Sequence, residues 1–272
     1  MALFVLATLF AAEAAPFAGE ARANSFFGKT LSFASEPVPL NRVEVYESLD
    51  QELLLISEAK ARIFLSLRRI PRTLPVVEKA LKDEGVPDDL KFYPLTLTGL
   101  APEYRSGKRL GIWRLSEDEA ASMGLTVNKN VDERMDPVAS SRAAAKKLKA
   151  NKNVYGSWTS AMASLFDAGA FATAVLEAEG ETDYHRLYVP EALEKSVSQV
   201  MAGKILFSDP ERYGYKTSKT WPVLARERVR LGEDGNMRKL ADHYKLDYKT
   251  FRDMNPHVLT DTVPAGSYLN VP

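Results

Sequence analysis

Residues 93–100 read Tyr-Pro-Leu-Thr-Leu-Thr-Gly-Leu, and the interpretation of the whole chain depends on this stretch. Leu95 and Leu97 alternate with threonines, and this period of two favours a β-strand. Pro94 argues in the same direction, because proline is unfavourable inside a helix. Taken alone, the stretch therefore predicts a short strand over residues 95–98.

Further motifs flank the stretch in a definite order. They are residues 84–87 (Glu-Gly-Val-Pro), 111–115 (Gly-Ile-Trp-Arg-Leu), 124–128 (Gly-Leu-Thr-Val-Asn), 131–137 (Val-Asp-Glu-Arg-Met-Asp-Pro) and 164–169 (Ser-Leu-Phe-Asp-Ala-Gly). Together with residues 93–100 they resemble the catalytic domain of the lytic transglycosylases that cleave bacterial cell-wall glycan, specifically the membrane-bound D type. The resemblance covers most of residues 41–215. It implies a mainly α, lysozyme-like fold in which residues 93–98 are helical, and we adopt the helix as the expectation.

The resemblance places the family's catalytic glutamate on Leu97, since the family reads Leu-Pro-Leu-Ile-Glu-Ser-Gly-Phe where this chain has residues 93–100. Such an enzyme uses one carboxyl group, which protonates the departing glycosidic oxygen and then takes a proton from the C6 hydroxyl of the sugar. Unlike the glycoside hydrolases, it needs no second carboxylate. Leu97 can supply neither proton nor charge, so the expectation is a retained fold without the chemistry.

The implied glycan-binding cleft is assigned to Thr98, Trp113, Arg114, Phe166 and Asp167, and its supporting positions have also changed relative to the family. The family has Gln, Tyr and Asn where this chain has Arg114, Phe166 and Asp167. Trp113 either stacks on a sugar or belongs to the core. Arg114 and Asp167 either form a salt bridge across the cleft or act separately, the arginine reaching solvent and the aspartate capping a helix.

The alternative is an active enzyme whose catalytic acid lies at another position. Glu103, six residues after Leu97, is the candidate for that acid. Glu117, Asp118 and Glu119 come after the tryptophan motif. Charges in such positions are usually solvated surface groups or helix starts, which is the simpler interpretation of all four.

Composition describes an ordinary globular protein of 272 residues, with 36 basic and 36 acidic side chains. The zero net charge argues against a nucleic-acid partner. Zero cysteines and three scattered histidines argue against a metal site, and no cofactor is expected.

The N-terminal third is predicted in two parts. Residues 1–23 form a predicted signal peptide, whose apolar run is too short to span a bilayer; a disordered N-terminus is the alternative. Residues 24–75 are a linker and a helical arm. Pro71 and Pro75 are expected to end that arm, before another helix that stops at Gly85.

Two further domains are expected, a transglycosylase-like domain over residues 76–215 and a small glycan-binding module over residues 223–272. The module resembles a LysM unit of β-α-α-β order, with Asn255 and Pro256 as its candidate site residues and Tyr244 and Phe251 in its core.

The leading hypothesis is a catalytically inactive transglycosylase-like protein that is exported to the periplasm or cell envelope and binds peptidoglycan there, with cell-wall proteins as further partners. No integral membrane segment is expected. An active lytic transglycosylase with a relocated acid such as Glu103 is the first alternative. A scaffold whose former cleft holds a protein partner is the second, and it predicts a blocked cleft beside an exposed apolar patch.

Overall fold

The computed structural model describes residues 30–217, 219–223 and 227–272, so the predicted signal peptide over residues 1–23 lies outside the described residues. The fold is mainly α. Within these ranges, no helix combines the length and the apolar character needed to cross a membrane.

The main helices of the described chain carry the following bounds: α1 Val43–Glu58, α2 Lys60–Glu84, α3 Phe92–Thr98, α4 Glu117–Ser122, α5 Pro137–Tyr155, α6 Trp158–Phe166, α7 Ala168–Glu177, α8 Glu191–Ser208, α9 Met237–His243 and α10 Tyr248–Met254. The strands are β1 Ser32–Phe33, β2 Glu36–Pro37, β3 Arg105–Ser106, β4 Arg109–Leu110, β5 Glu227–Arg230, β6 Gly235–Asn236, β7 Thr262–Val263 and β8 Tyr268–Val271. They pair as four antiparallel couples, β1 with β2, β3 with β4, β5 with β8 and β6 with β7.

The helical arm breaks at Ala59, where ψ is 50°, and not at the prolines. Pro71 and Pro75 lie inside α2, so the predicted break there is wrong. A proline in a helix removes one backbone hydrogen bond, at a cost of about 3 kcal/mol. Burial of the apolar face of α2 in the core opposes that cost. In addition, the Trp221 N–H donates to the carbonyl of Arg68 at 2.9 Å, in the turn just before Pro71.

Residues 92–98 form helix α3, as the family resemblance implies, and the strand predicted from alternation alone is wrong. Pro94 is tolerated because it lies in the first turn, where the N–H groups have no partner inside the helix. Every residue of α3 is buried, so both sets of alternating side chains, the leucines and the threonines, are enclosed. Full enclosure removes the polar face that would have given the segment a helical periodicity.

The core of the large domain surrounds α3, which packs against α2 and α8. The contact with α8 is very close at Gly203, where an added Cβ would lie 1.8 Å from Thr96 Oγ1. Asp136 caps α5 by accepting hydrogen bonds from the amides of Val138 and Ala139, and Pro137 is the first residue of the helix. Helices α6 and α7 follow each other directly and form an Ala-rich pair.

The C-terminal residues form a unit with its own apolar core and the predicted strand-helix-helix-strand order, β5, α9, α10 and β8. Phe251 is fully buried there, and Tyr244 stacks on it with ring centroids 5.9 Å apart. Both are core side chains, as predicted.

The small unit is joined to the large domain by directional contacts. The Arg228 guanidinium donates to both carboxylate oxygens of Asp136, at 2.9 and 2.6 Å, and the Asp136 side chain is 1% exposed. The Asp132 N–H donates to the carbonyl of His257 at 2.8 Å. A bidentate pair of this kind fixes orientation as well as distance.

Candidate functional site

Position 97 lies at the centre of the domain and carries no titratable group. The Leu97 side chain is 2% exposed and belongs to the apolar core. The Arg62 guanidinium donates to the carbonyls of both Thr96 (2.8 Å) and Leu97, so this cation is directed at the backbone of α3. At the point where the resemblance places a general acid, the structure has a sealed hydrocarbon side chain.

Thr98 and Trp113 connect the elements beneath the site and do not face solvent. Thr98 Oγ1 donates to the carbonyls of Pro94 and Ile112, which ties α3 to the loop that follows β4. Trp113 is fully buried, donates from Nε1 to Ser141 Oγ at 2.9 Å and stacks on Tyr93. Assignment of these two side chains to a glycan-contacting surface is therefore corrected, and Trp113 is a core aromatic.

Close packing of two backbone segments explains why the tryptophan motif begins with a glycine. Gly111 has a φ of 80°, and an added Cβ would lie 1.8 Å from the carbonyl oxygen of Arg134. Only glycine allows the two backbone segments to approach this closely in that conformation.

A pocket of about 210 Å³ brings together the remaining predicted cleft residues. Arg114, Phe166 and Asp167 line it, and the structure adds Tyr93 and Arg109, which the sequence interpretation missed. The other lining residues come from α7 and from the start of α8: Ala170, Pro190, Ala192, Leu193 and Ser196. The pocket lies beside the buried α3–Trp113 layer, since Tyr93 contacts both Trp113 and Phe166.

The proposed Arg114–Asp167 salt bridge is absent from the described residues, so that hypothesis is wrong. Asp167 is exposed and accepts a hydrogen bond from the Ala170 N–H at 2.9 Å as the cap of α7, which was the alternative. Arg114 has a φ of 53°, an uncommon value for a residue with a Cβ. Its Nε is buried with no hydrogen-bond partner among the described residues.

The lining residue Arg109 forms an ion pair with Glu119, which does not itself line the pocket. Arg109 donates from Nη1 and Nη2 to the two carboxylate oxygens of Glu119, at 2.8 and 2.9 Å, and it also donates to the carbonyls of Arg114 and Phe166. Glu119 was expected at a helix start, and it does form a capping box with Ser116. That Ser-x-x-Glu spacing was the available sequence signal, but nothing in it identifies Arg109 as the partner.

Tyr93 places a phenol at the floor of the pocket. Burial raises the pKa of Tyr93 to about 12, and the positive charges of Arg114 and Arg109 oppose the shift. The hydroxyl therefore stays neutral near pH 7 and can donate or accept a hydrogen bond.

Glu103 is exposed in the turn between α3 and β3 and is not among the residues that line the pocket. It lacks the apolar enclosure by which proteins usually tune a carboxyl group as a general acid.

Asn255 in the small unit is fully buried, and its amide is used inside the unit. It donates to the carbonyls of Phe251 and Asn270 and accepts from the Asn270 N–H. Its assignment as a ligand contact is corrected to a structural role, because these bonds hold α10 against β8. Pro256 keeps some exposed surface.

Comparison with known proteins agrees with this lysozyme-like architecture. Residues 98–182 match the family model described as the Transglycosylase SLT domain, and Leu97 immediately precedes the matched range. The chain is also similar to two proteins named Membrane-bound lytic murein transglycosylase D, from Escherichia coli strain K12 and from Escherichia coli O6:H1. Each is 27% identical over 201 residues, which cover 71% of this chain and 44% of the relative. The match thus spans less than half the length of these relatives.

Proposed function

We propose that this protein is a catalytically inactive, lytic-transglycosylase-like protein that binds peptidoglycan in the bacterial envelope. The observation that carries the proposal is the side chain at position 97, an apolar group with 2% exposure where the related enzymes are expected to have their acid. A positioned general acid contributes roughly 10²- to 10⁴-fold in rate, so its loss removes most turnover while leaving a pocket that can bind.

The pocket has the features of a glycan site in which one of two lining cations, Arg114, has no ion-pair partner among the described residues. Phe166 offers an aromatic face, Tyr93 a neutral hydroxyl, and Arg114 a guanidinium without an ion-pair partner among the described residues. Muramic acid and the stem peptides of peptidoglycan carry carboxylates. A partly buried arginine suits such a group, because the charge-assisted hydrogen bond is stronger away from bulk water.

The alternatives receive less support. An active enzyme using Glu103 would need an exposed turn carboxylate to act as the acid. A scaffold with a blocked cleft fits poorly with an open pocket of about 210 Å³. The SLT match and the names of the relatives support a cell-wall ligand and an envelope location for this chain.

The test is co-sedimentation with purified sacculi. The full chain is expected to pellet with insoluble peptidoglycan and to stay in the supernatant without it. A failure to pellet at physiological salt would contradict the proposal.

Two separately expressed pieces, residues 41–215 and residues 223–272, then locate the binding site. Each piece is first checked for folding by circular dichroism. We expect the LysM-like piece to pellet, and its absence from the pellet would remove the glycan-binding role proposed for it. In the large piece, Arg114→Gln should weaken binding several-fold, whereas the control Arg105→Gln, at an exposed arginine outside the pocket, should not.

A further inference from the structure

A second pocket, of about 110 Å³, lies among α1, α2, α3 and α8 and shares no lining residue with the pocket described above. Its walls are mostly hydrocarbon, supplied by Leu55, Ile56, Ala59, Ile63, Leu206 and Phe207. A space of this size accommodates a short alkyl group but not a sugar ring with its substituents.

One carboxylate lines this apolar pocket. The Glu52 side chain is 5% exposed, and none of the described residues forms a hydrogen bond or ion pair with it. A buried carboxylate normally has a partner, because the loss of its hydration is costly. Burial raises the pKa of Glu52, and the nearby Lys195 charge opposes that shift.

The neighbouring cations are directed elsewhere. Arg62 lines the pocket but donates to the backbone of α3, and Lys195 forms an ion pair with Glu191 on the surface of α8. Thr96 also lines the pocket, and its Oγ1 is fully buried and has no hydrogen-bond partner within the described chain. The pocket is therefore lined by one largely buried carboxylate that the described residues leave without a hydrogen-bond or ion-pair partner.

We propose that this pocket binds a primary ammonium group at the end of a short alkyl chain. The ammonium can donate hydrogen bonds to the Glu52 carboxylate, and it neutralises the buried negative charge. The alkyl stem packs against the leucine, isoleucine and phenylalanine side chains. An anionic ligand is disfavoured, because it would lie beside Glu52. The chemistry is shared by a free alkylamine and by a lysine side chain of a peptide.

The experiment titrates the full chain at pH 7 with n-pentylammonium, with 1-pentanol as the neutral analogue, and with a capped glycine peptide that carries one central lysine. Binding is followed by calorimetry and by amide NMR shifts. Glu52→Gln removes the charge at nearly constant shape, and Glu47→Gln, at an exposed glutamate of the same helix, is the matched control.

We expect n-pentylammonium to bind wild type and Glu47→Gln with equal affinity, and to bind Glu52→Gln at least tenfold more weakly. We expect 1-pentanol to bind wild type at least tenfold more weakly than n-pentylammonium does. Binding of the peptide in addition would identify lysine side chains as ligands, and binding of the amine alone would identify free amines. Equal binding of 1-pentanol would overturn the proposal, as would unchanged amine binding by Glu52→Gln. So would the absence of amine binding at millimolar concentration.

Discussion

At position 97 both the side chain and its surroundings are apolar. Leu97 is buried with the rest of α3. The hydroxyl of its neighbour Thr98 is hydrogen-bonded to the backbone carbonyls of Pro94 and Ile112. Phe166 contributes a ring without a hydroxyl next to Tyr93. The site is therefore adapted to a leucine, and restoring one carboxyl group would not restore an environment for acid catalysis.

Leu97→Glu is accordingly expected to show no glycan cleavage and to lose stability. An unpaired carboxylate in this core should lower the free energy of unfolding by about 3 kcal/mol, whereas Leu97→Met, which nearly conserves volume, should lower it by about 1 kcal/mol. Urea unfolding measures both values, and incubation with sacculi measures activity. Robust glycan cleavage by the single variant would refute the claim that the surrounding site no longer supports the chemistry.

Asp167 stabilises α7 as a cap and not as an ion-pair partner, which sets the order of two substitutions. Asp167→Ala should cost about 1 kcal/mol, while Asp167→Asn keeps an acceptor and should be nearly neutral. Arg114→Ala should cost less than Asp167→Ala, since the described residues contain no partner for its charge. Thermal unfolding gives the ranking, and the reverse order would point back to the salt bridge.

Single residues were predictable where the signal was local and not where it depended on tertiary contacts. The Asp136 cap of α5 has a local signal, since an aspartate directly before a proline is typical of a helix start. Burial of Trp113, the hydrogen bonds between Asn255 and Asn270 and the Arg109–Glu119 pair depend on contacts between different elements, and no spacing rule reports them.

At the scale of elements, periodicity failed where burial is complete or where packing overrides propensity. Helix α3 has no polar face, so the alternation of leucine and threonine predicted a strand. Only the resemblance of the flanking motifs to the family predicted the helix. Helix α2 passes through Pro71 and Pro75 because its apolar face is buried on both sides of them. Helix ends with local signals were predictable, as the stop at Gly85 with a φ of 71° shows.

Glu52 should make the packing of α1 dependent on pH. Its pKa is raised in the folded state, so the folded protein binds this proton more tightly than the unfolded chain and loses stability as pH rises through the raised pKa. Lys195 on α8 and Arg62 on α2 are the cations near it.

Glu52→Gln should therefore raise the midpoint of thermal unfolding at pH 7 by several degrees, and the gain should shrink at about pH 4, where the carboxyl group is largely protonated in both states. Glu47→Gln is the control at both pH values. A gain that grew on acidification would contradict this assignment.

At the scale of the whole molecule, the large domain and the small unit are held together by the bidentate Arg228–Asp136 pair. Asp136 serves two functions, since it also caps α5. The order of elements in the small unit was predictable from its motifs, but its attachment was not, because the pair joins residues 92 positions apart.

Arg228→Ala should cost about 3 kcal/mol, because it leaves the Asp136 carboxylate buried without its partner. Adding Asp136→Ser should recover much of that loss, since serine is a good cap and carries no charge. Urea unfolding of the single and double variants tests both statements. A double variant less stable than Arg228→Ala alone would show that the carboxylate is not the cause of the loss.

The central claim is that a retained fold here lacks the chemistry of its relatives, and release of anhydro-muropeptides from purified sacculi tests it most directly. The full chain is incubated beside an active Membrane-bound lytic murein transglycosylase D from Escherichia coli, and soluble products are analysed by mass spectrometry. The account predicts no release above the buffer control, with the protein recovered in the sacculus pellet. Sustained release by the wild-type chain that Glu103→Gln abolishes would contradict the account and establish a relocated acid.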